Sequence, residues 1–129
     1  MPQQLHILRL PKVQSRYGAL SQKPECFGSE VRYFDGEVPT IFGKIVSEMA
    51  DAENLAVPEV GSGRTGIYID AVKQAVDLLE DRPLLAGVIG PFSLAGRLMD
   101  VTDTMMNCFQ KPDMVHKVLE KAVEFQIKY

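Results

Sequence analysis

The chain has 129 residues, 46% hydrophobic and 24% charged, which is the composition of one globular domain or part of one and excludes a disordered tail. Its net charge of −3 leaves no basic excess to neutralise a phosphate backbone, so no nucleic-acid partner is expected. No apolar run approaches a membrane span or a signal peptide, and two cysteines make no disulfide framework, so a cytoplasmic protein without a membrane partner is expected.

In chain order, residues 5–10 suggest a short strand closed by Pro11. Residues 11–28 have no clean period and are expected to be irregular. Residues 29–35 and 38–46 favour β-formers around the turn signal Asp35-Gly36, and together predict a hairpin. Residues 47–66, with Pro58, Gly61, Gly63 and Gly66, predict a long surface connection. Ile69, Val72, Ala75, Val76 and Leu79 then repeat at helical spacing, which predicts an amphipathic helix stopped at Asp81-Arg82-Pro83. Leu84–Ile89 is short and apolar throughout, the pattern of a strand buried on both faces of a parallel sheet. Gly90-Pro91 stops it, and Ser93 or the nearby backbone is expected to cap a helix over Leu94–Met99. Thr102–Phe109 predicts another helix. Lys111-Pro112-Asp113 opens the last one, whose apolar face is Val115, Val118, Leu119, Ala122 and Phe125. A strand buried on both faces needs neighbours that the rest of the chain scarcely offers. The expectation is therefore a piece of a larger α/β protein.

Residues 86–99 read Ala-Gly-Val-Ile-Gly-Pro-Phe-Ser-Leu-Ala-Gly-Arg-Leu-Met, and residues 111–125 open Lys-Pro-Asp-Met-Val-His. Residues 25–32 read Glu-Cys-Phe-Gly-Ser-Glu-Val-Arg; Glu37-Val38-Pro39-Thr40 and the Val57-Pro58 to Gly63-Arg64 stretch follow. Together they resemble the uroporphyrinogen decarboxylase superfamily, which includes methyltransferases that pass a methyl group from a corrinoid protein to coenzyme M or a related acceptor. The resemblance covers roughly residues 25–129. It implies a partial (β/α)8 TIM barrel, α/β in class, with an N-terminal β-hairpin, the whole chain being one piece of that barrel. Residues 1–24 match poorly, so the first barrel strand and its acidic residue are expected to be missing or rearranged.

The same resemblance places Phe92, Ser93 and Arg97 at the substrate cavity, since barrel enzymes put their chemistry at the C-terminal ends of strands. The blander reading of Ser93 is a helix cap, and of Arg97 a surface side chain. Arg97 stands where the porphyrinogen decarboxylases resemble one another in a tyrosine, which favours the methyltransferase branch. That branch implies zinc, a corrinoid protein partner and a small thiol acceptor. Its metal-binding His-x-Cys pair and distant Cys fall late in the chain and are absent here, so no cofactor is expected on these residues and catalysis by this chain alone is not expected. His116 is expected to partner Glu120, Arg64 to sit in a plain loop, and the methionines to fill gaps. The readings carried forward are part of a corrinoid-dependent methyltransferase, part of a uroporphyrinogen decarboxylase of porphyrin biosynthesis, or a non-catalytic assembly unit. An unpaired apolar strand edge also predicts a homo-oligomer.

Overall fold

The computed structural model describes residues 23–129. The strand expected at residues 5–10 lies outside the described residues. Residues 23–26 form a helical turn where irregular chain was expected.

The hairpin forms, but with shorter strands than the β-former runs suggest. Strand β1 (Glu30–Arg32) pairs antiparallel with β2 (Thr40–Phe42), with Val31 opposite Ile41. Gly36 takes φ 78° in the connection, a conformation that costs glycine nothing. Two strands alone are marginal in water. This pair is anchored at its exit, where the Ile45 and Val46 amides donate to the Leu98 carbonyl at 2.9 and 3.2 Å.

The connection expected over residues 47–66 contains a helix, α1 (Met49–Asn54). Its start is held by the Asp51 carboxylate, which accepts from the Ser47 and Glu48 amides at 3.0 and 2.9 Å. Those two bonds hold the Asp51 carboxyl below its ordinary pKa. Helix α2 (Thr65–Leu78) begins four residues earlier than its apolar spacing predicts. Its entry is a tight turn in which Gly61 and Gly63 have φ 93° and 54°. Thr65 Oγ1 donates to the Ser62 carbonyl at 2.6 Å and accepts from the Gly61 amide at 3.2 Å.

The strand expected at Leu84–Ile89 is absent. Residues 83–90 are in no regular element, Leu85 is 91% exposed, and Ile89 alone of that run is buried. A strand exists only through its ladder, and among the described residues β1 and β2 pair with each other alone. The segment is held instead at its end, where Gln126 Nε2 donates to the Ile89 carbonyl at 2.6 Å.

Helix α3 (Pro91–Met99) starts with Pro91 in its first turn and Gly90 as the cap residue. Ser93 lies inside the helix, so of the two expected caps, Ser93 or the nearby backbone, the structure has the backbone one at Gly90, with Pro91 fixing the helical φ after it. Helix α4 (Val101–Gln110) follows across a one-residue corner at Asp100, which has φ 74° and ψ 140°. The Asp100 carboxylate accepts from the Thr102 amide at 2.9 Å, capping α4 as a side-chain oxygen does at a helix start. Helix α5 (Pro112–Lys128) follows with Pro112 in its first turn.

The core lies between α3 and α5. Leu94, Ala95, Leu98 and Met99 pack with Met114, Val115, Val118, Ala122 and Phe125, joined by Val46, Ala52, Phe27 and Ile89. Phe27 meets Phe125 edge-on at 5.4 Å. The unit is mixed α/β with one small antiparallel sheet. Among the described residues no helix is long and apolar enough to cross a membrane.

Candidate functional site

A groove of about 280 Å³ runs between the hairpin and the α3–α4 corner. Pro39, Thr40, Ile41 and Gly43 form one wall; Gly96, Arg97, Asp100 and Val101 form the other. The corner brings the second wall together. A Cβ at Gly96 would meet Val101 Cγ2 at 3.4 Å, an ordinary contact, with α4 folded closely against α3 at this point.

Arg97 is half-buried in this groove. The other two candidates sit one turn earlier and do not line it. Phe92 is 49% exposed and Ser93 is exposed, both beside the unpaired segment 83–90. Spacing along α3 puts Ser93 and Arg97 on one side of the helix, but the structure puts only Arg97 against the hairpin.

The charges around the groove are largely spoken for. The Asp100 carboxylate is turned onto the α4 amides. Lys44 pairs with Asp103, and that pairing holds the lysine above its ordinary pKa. Among the described residues no hydrogen bond or ion pair occupies the Arg97 guanidinium.

Arg64, expected to be a plain loop residue, belongs to a second polar cluster. Its guanidinium donates to the Tyr33 hydroxyl, lies 4.8 Å from that ring and approaches Glu25 at 3.8 Å. Tyr33 in turn donates to Glu25 at 3.3 Å. Partial burial raises the pKa of the Tyr33 hydroxyl, against the opposing charge of Arg64 and with a lesser contribution from Glu25. The cluster ties the hairpin to the turn before α2. The nearby Cys26 thiol donates to the Ser62 carbonyl at 3.1 Å. Sequence spacing could not reveal this cluster, because its members lie far apart along the chain.

A zinc site of the kind implied by the methyltransferase branch needs three or four nitrogen, sulfur or carboxylate donors converging on one point. Among the described residues no group of three His, Cys, Asp or Glu side chains converges in that way. Cys26 bonds to backbone and Cys108 is exposed. These residues do not fit the metal, and no step through zinc is assigned to them. His116 is exposed, and Glu120 meets Lys117 at 3.7 Å, where His116 was the expected partner.

Two lysines turn toward the protein in different ways. Lys121 Nζ donates to the carbonyls of Ala52, Glu53 and Leu55 at 2.7, 2.6 and 2.6 Å, closing the C-terminal end of α1. Lys23 is fully buried, with its ammonium 4.1 Å from the Tyr129 ring centre and no hydrogen bond among the described residues.

Set beside known proteins, residues 18–129 match the family model of uroporphyrinogen decarboxylase (URO-D). The chain is similar to the methylcobamide:CoM methyltransferase MtbA of Methanosarcina acetivorans, with 26% identity over 85% of this chain and 33% of that protein. It is 30% identical to a uroporphyrinogen decarboxylase of Hydrogenovibrio crunogenus, over 82% of this chain and 31% of that protein. Among solved structures, a methyltransferase from Methanosarcina mazei superposes with a TM-score of 0.71 at 26% identity, covering 83% of this chain and 32% of that one. The chain spans about a third of the length of the curated relatives it matches.

Proposed function

The chain belongs to the uroporphyrinogen decarboxylase family, and from that premise we propose that it forms the substrate-side, N-terminal third of a barrel that transfers a methyl group from a methylated corrinoid protein to a small thiol. The observation that carries this reading is the superposition on the Methanosarcina mazei methyltransferase, with a TM-score of 0.71 over 83% of this chain. Arg97 adds to it, because it stands where the porphyrinogen decarboxylases resemble one another in a tyrosine.

In this reading the chain supplies the hairpin, the α3–α4 corner and the groove between them. Its own residues bind and orient the acceptor. The role expected for Phe92 and Ser93 is to line the wider cavity at the start of α3, where both are exposed.

The rival is decarboxylation of a porphyrinogen, favoured by the 30% identity to the Hydrogenovibrio crunogenus decarboxylase. The whole translation product of the gene separates the two when it is given methylcobalamin with a small thiol and, separately, uroporphyrinogen. Thiol methylation is expected. Carbon dioxide release from uroporphyrinogen without thiol methylation would replace this reading with the rival. The 129-residue chain alone is expected to do neither, because losing part of a positioned constellation forfeits orders of magnitude in rate.

A further inference from the structure

We propose that the outer face of helix α4 is an interaction surface for a second copy of this chain, the two α4 helices packing antiparallel about a two-fold axis at Met105. The inference stands on α4 alone and does not depend on which reaction the parent barrel performs.

Helix α4 is built the other way round from its neighbours. Where α3 and α5 bury their apolar faces, the one buried residue of α4 is Thr104, whose hydroxyl donates to the Asp100 carbonyl at 2.7 Å. Asp103 and Asn107 are half-buried on the same side. The apolar residues are left outside: Phe109 is 91% exposed, Met105 59%, Val101 58% and Met106 53%. Val101, Met105 and Phe109 recur at every fourth position, which stacks them in one row along the helix. Met106 and Cys108, both exposed, widen that row on its two sides. No charge interrupts it, because Asp103 is the one charged residue of α4 and is turned to Lys44.

Size and charge decide the occupant. A contiguous exposed apolar patch of several hundred Å² marks an interaction surface. The α4 row offers on the order of 500 Å² from each copy and so about 1,000 Å² in all, the lower limit for a specific protein contact. The charges at its rim are closed within the chain. Asp103 is paired with Lys44 and Lys111 with Glu48, the Asp100 carboxylate accepts from the Thr102 and Asp103 amides, and Asp113 lies in the first turn of α5, where the helix start favours it. A rim of this kind selects neither an acidic nor a basic partner. It selects a surface that is itself apolar and neutral, and this face is one. Helix α4 contains no lysine or arginine, which a helix lying on an anionic bilayer would need.

The row also complements itself. Met105 stands at the middle of Val101–Gln110, so an axis there sets it against its own copy, and a thioether adapts to such a contact. The same axis lays the bulky Phe109 of each chain toward the smaller Val101 of the other. Antiparallel packing opposes the two helix dipoles, where parallel packing would align them.

The test uses the 129-residue chain carrying Leu85→Lys and Val76→Lys, which keeps the exposed apolar residues of α2 and 84–89 out of the readout. Small-angle X-ray scattering over a dilution series is expected to show monomer at about 10 μM and dimer at about 1 mM, as suits a contact of this size. Phe109→Lys is expected to remove the dimer and leave the urea midpoint unchanged, since that side chain already faces water. Met105→Lys should do the same. With Cys108→Ser, Met105→Cys is expected to form a disulfide-linked dimer in oxidised glutathione at least about tenfold faster than Gln110→Cys, which is also exposed but lies off the row, because the axis raises the effective concentration of one thiol at the other. Monomer at every concentration would overturn the proposal. So would a dimer that survives both lysine variants, or equal rates of cross-linking at the two cysteines. Flotation of the chain with phosphatidylcholine vesicles, lost in Phe109→Lys, would give the face to lipid and overturn it as well.

Discussion

Two parts of the chain look alike in sequence and differ in what they bury. Helices α3 and α5 carry apolar stripes, and their inner faces are sealed: Leu94, Leu98, Met99, Val118, Ala122 and Phe125 have no solvent exposure. Helix α2 and the segment at 84–89 are just as apolar, yet Ile67 is 65% exposed, Val76 56% and Leu85 91%. Thr65 is the one buried residue of α2. An apolar stripe reports that a surface is made to be covered. It does not report that the covering element lies in the same chain. In the curated relatives, which are about three times as long, there is more chain to do the covering.

The largest effect that would sharpen this contrast is self-association. We propose that the bare flank of α2 and residues 84–89 joins a second copy in a two-fold dimer, as unpaired apolar edges tend to do. Dissociation in the micromolar range corresponds to about 8 kcal/mol. Sedimentation velocity at micromolar concentration should show the dimer, and Leu85→Lys with Val76→Lys should return it to monomer. A compact monomer that binds no apolar dye would show the flank to be stable when bare.

Next in size is the difference between the two faces under mutation. Phe125→Ala should cost about 3–5 kcal/mol in urea unfolding, because it leaves a cavity between Phe27 and Tyr129. Val76→Ser, measured in the Leu85→Lys background below the concentration at which it associates, should change stability by less than about 0.5 kcal/mol. Equal costs at the two sites would mean that α2 is packed after all.

Much of the packed half could be read in advance, for identifiable reasons. Pro112 and the spacing of Val115, Val118, Ala122 and Phe125 announce α5, and Asp35-Gly36 announces the hairpin turn. Helix α1 was hidden because it has six residues and buries only Ala52, too few to make a period. Its marker was local: Asp51 three residues after Glu48, a reciprocal start signal without a hydrophobic run behind it. The strand at 84–89 was misread because composition describes the surroundings a strand needs, and ladder partners are missing among the described residues. At the site, Arg97 was singled out by the resemblance, while α3 followed from the local pattern. The other wall did not, since it joins residues from 39–43 to residues from 96–101 across the fold.

Lys121 illustrates the same limit and provides a middle-sized effect. It reaches α1 across more than 60 residues of sequence (66 to Leu55 and 69 to Ala52). Lys121→Met keeps the length of the side chain and removes its three carbonyl contacts. A loss of about 2 kcal/mol is expected, typical for charged hydrogen bonds partly shielded from water. Hydrogen exchange should quicken in α1 before it does so in α4. Uniform quickening would show that Lys121 acts through the core rather than through the end of α1.

Lys23 should give the smallest effect, and one of opposite sign. Burial, its main influence, holds its ammonium below the ordinary lysine pKa, with Cys26 pulling slightly the other way. The Tyr129 ring at 4.1 Å returns part of the lost hydration through its negative face, but among the described residues no hydrogen bond completes the exchange. Because the folded pKa is the lower one, the unfolded chain binds more protons between that value and 10.5. Stability must therefore rise with pH across that window. Below it the cost of burying the charge is present in full, and above it the lysine is neutral in both states. Lys23→Met removes the charge while keeping the bulk, so it should stabilise the chain at neutral pH by about 1 kcal/mol and flatten the rise toward alkaline pH. A variant less stable than the parent at pH 7, with the alkaline rise intact, would mean that the contact with Tyr129 outweighs the lost hydration.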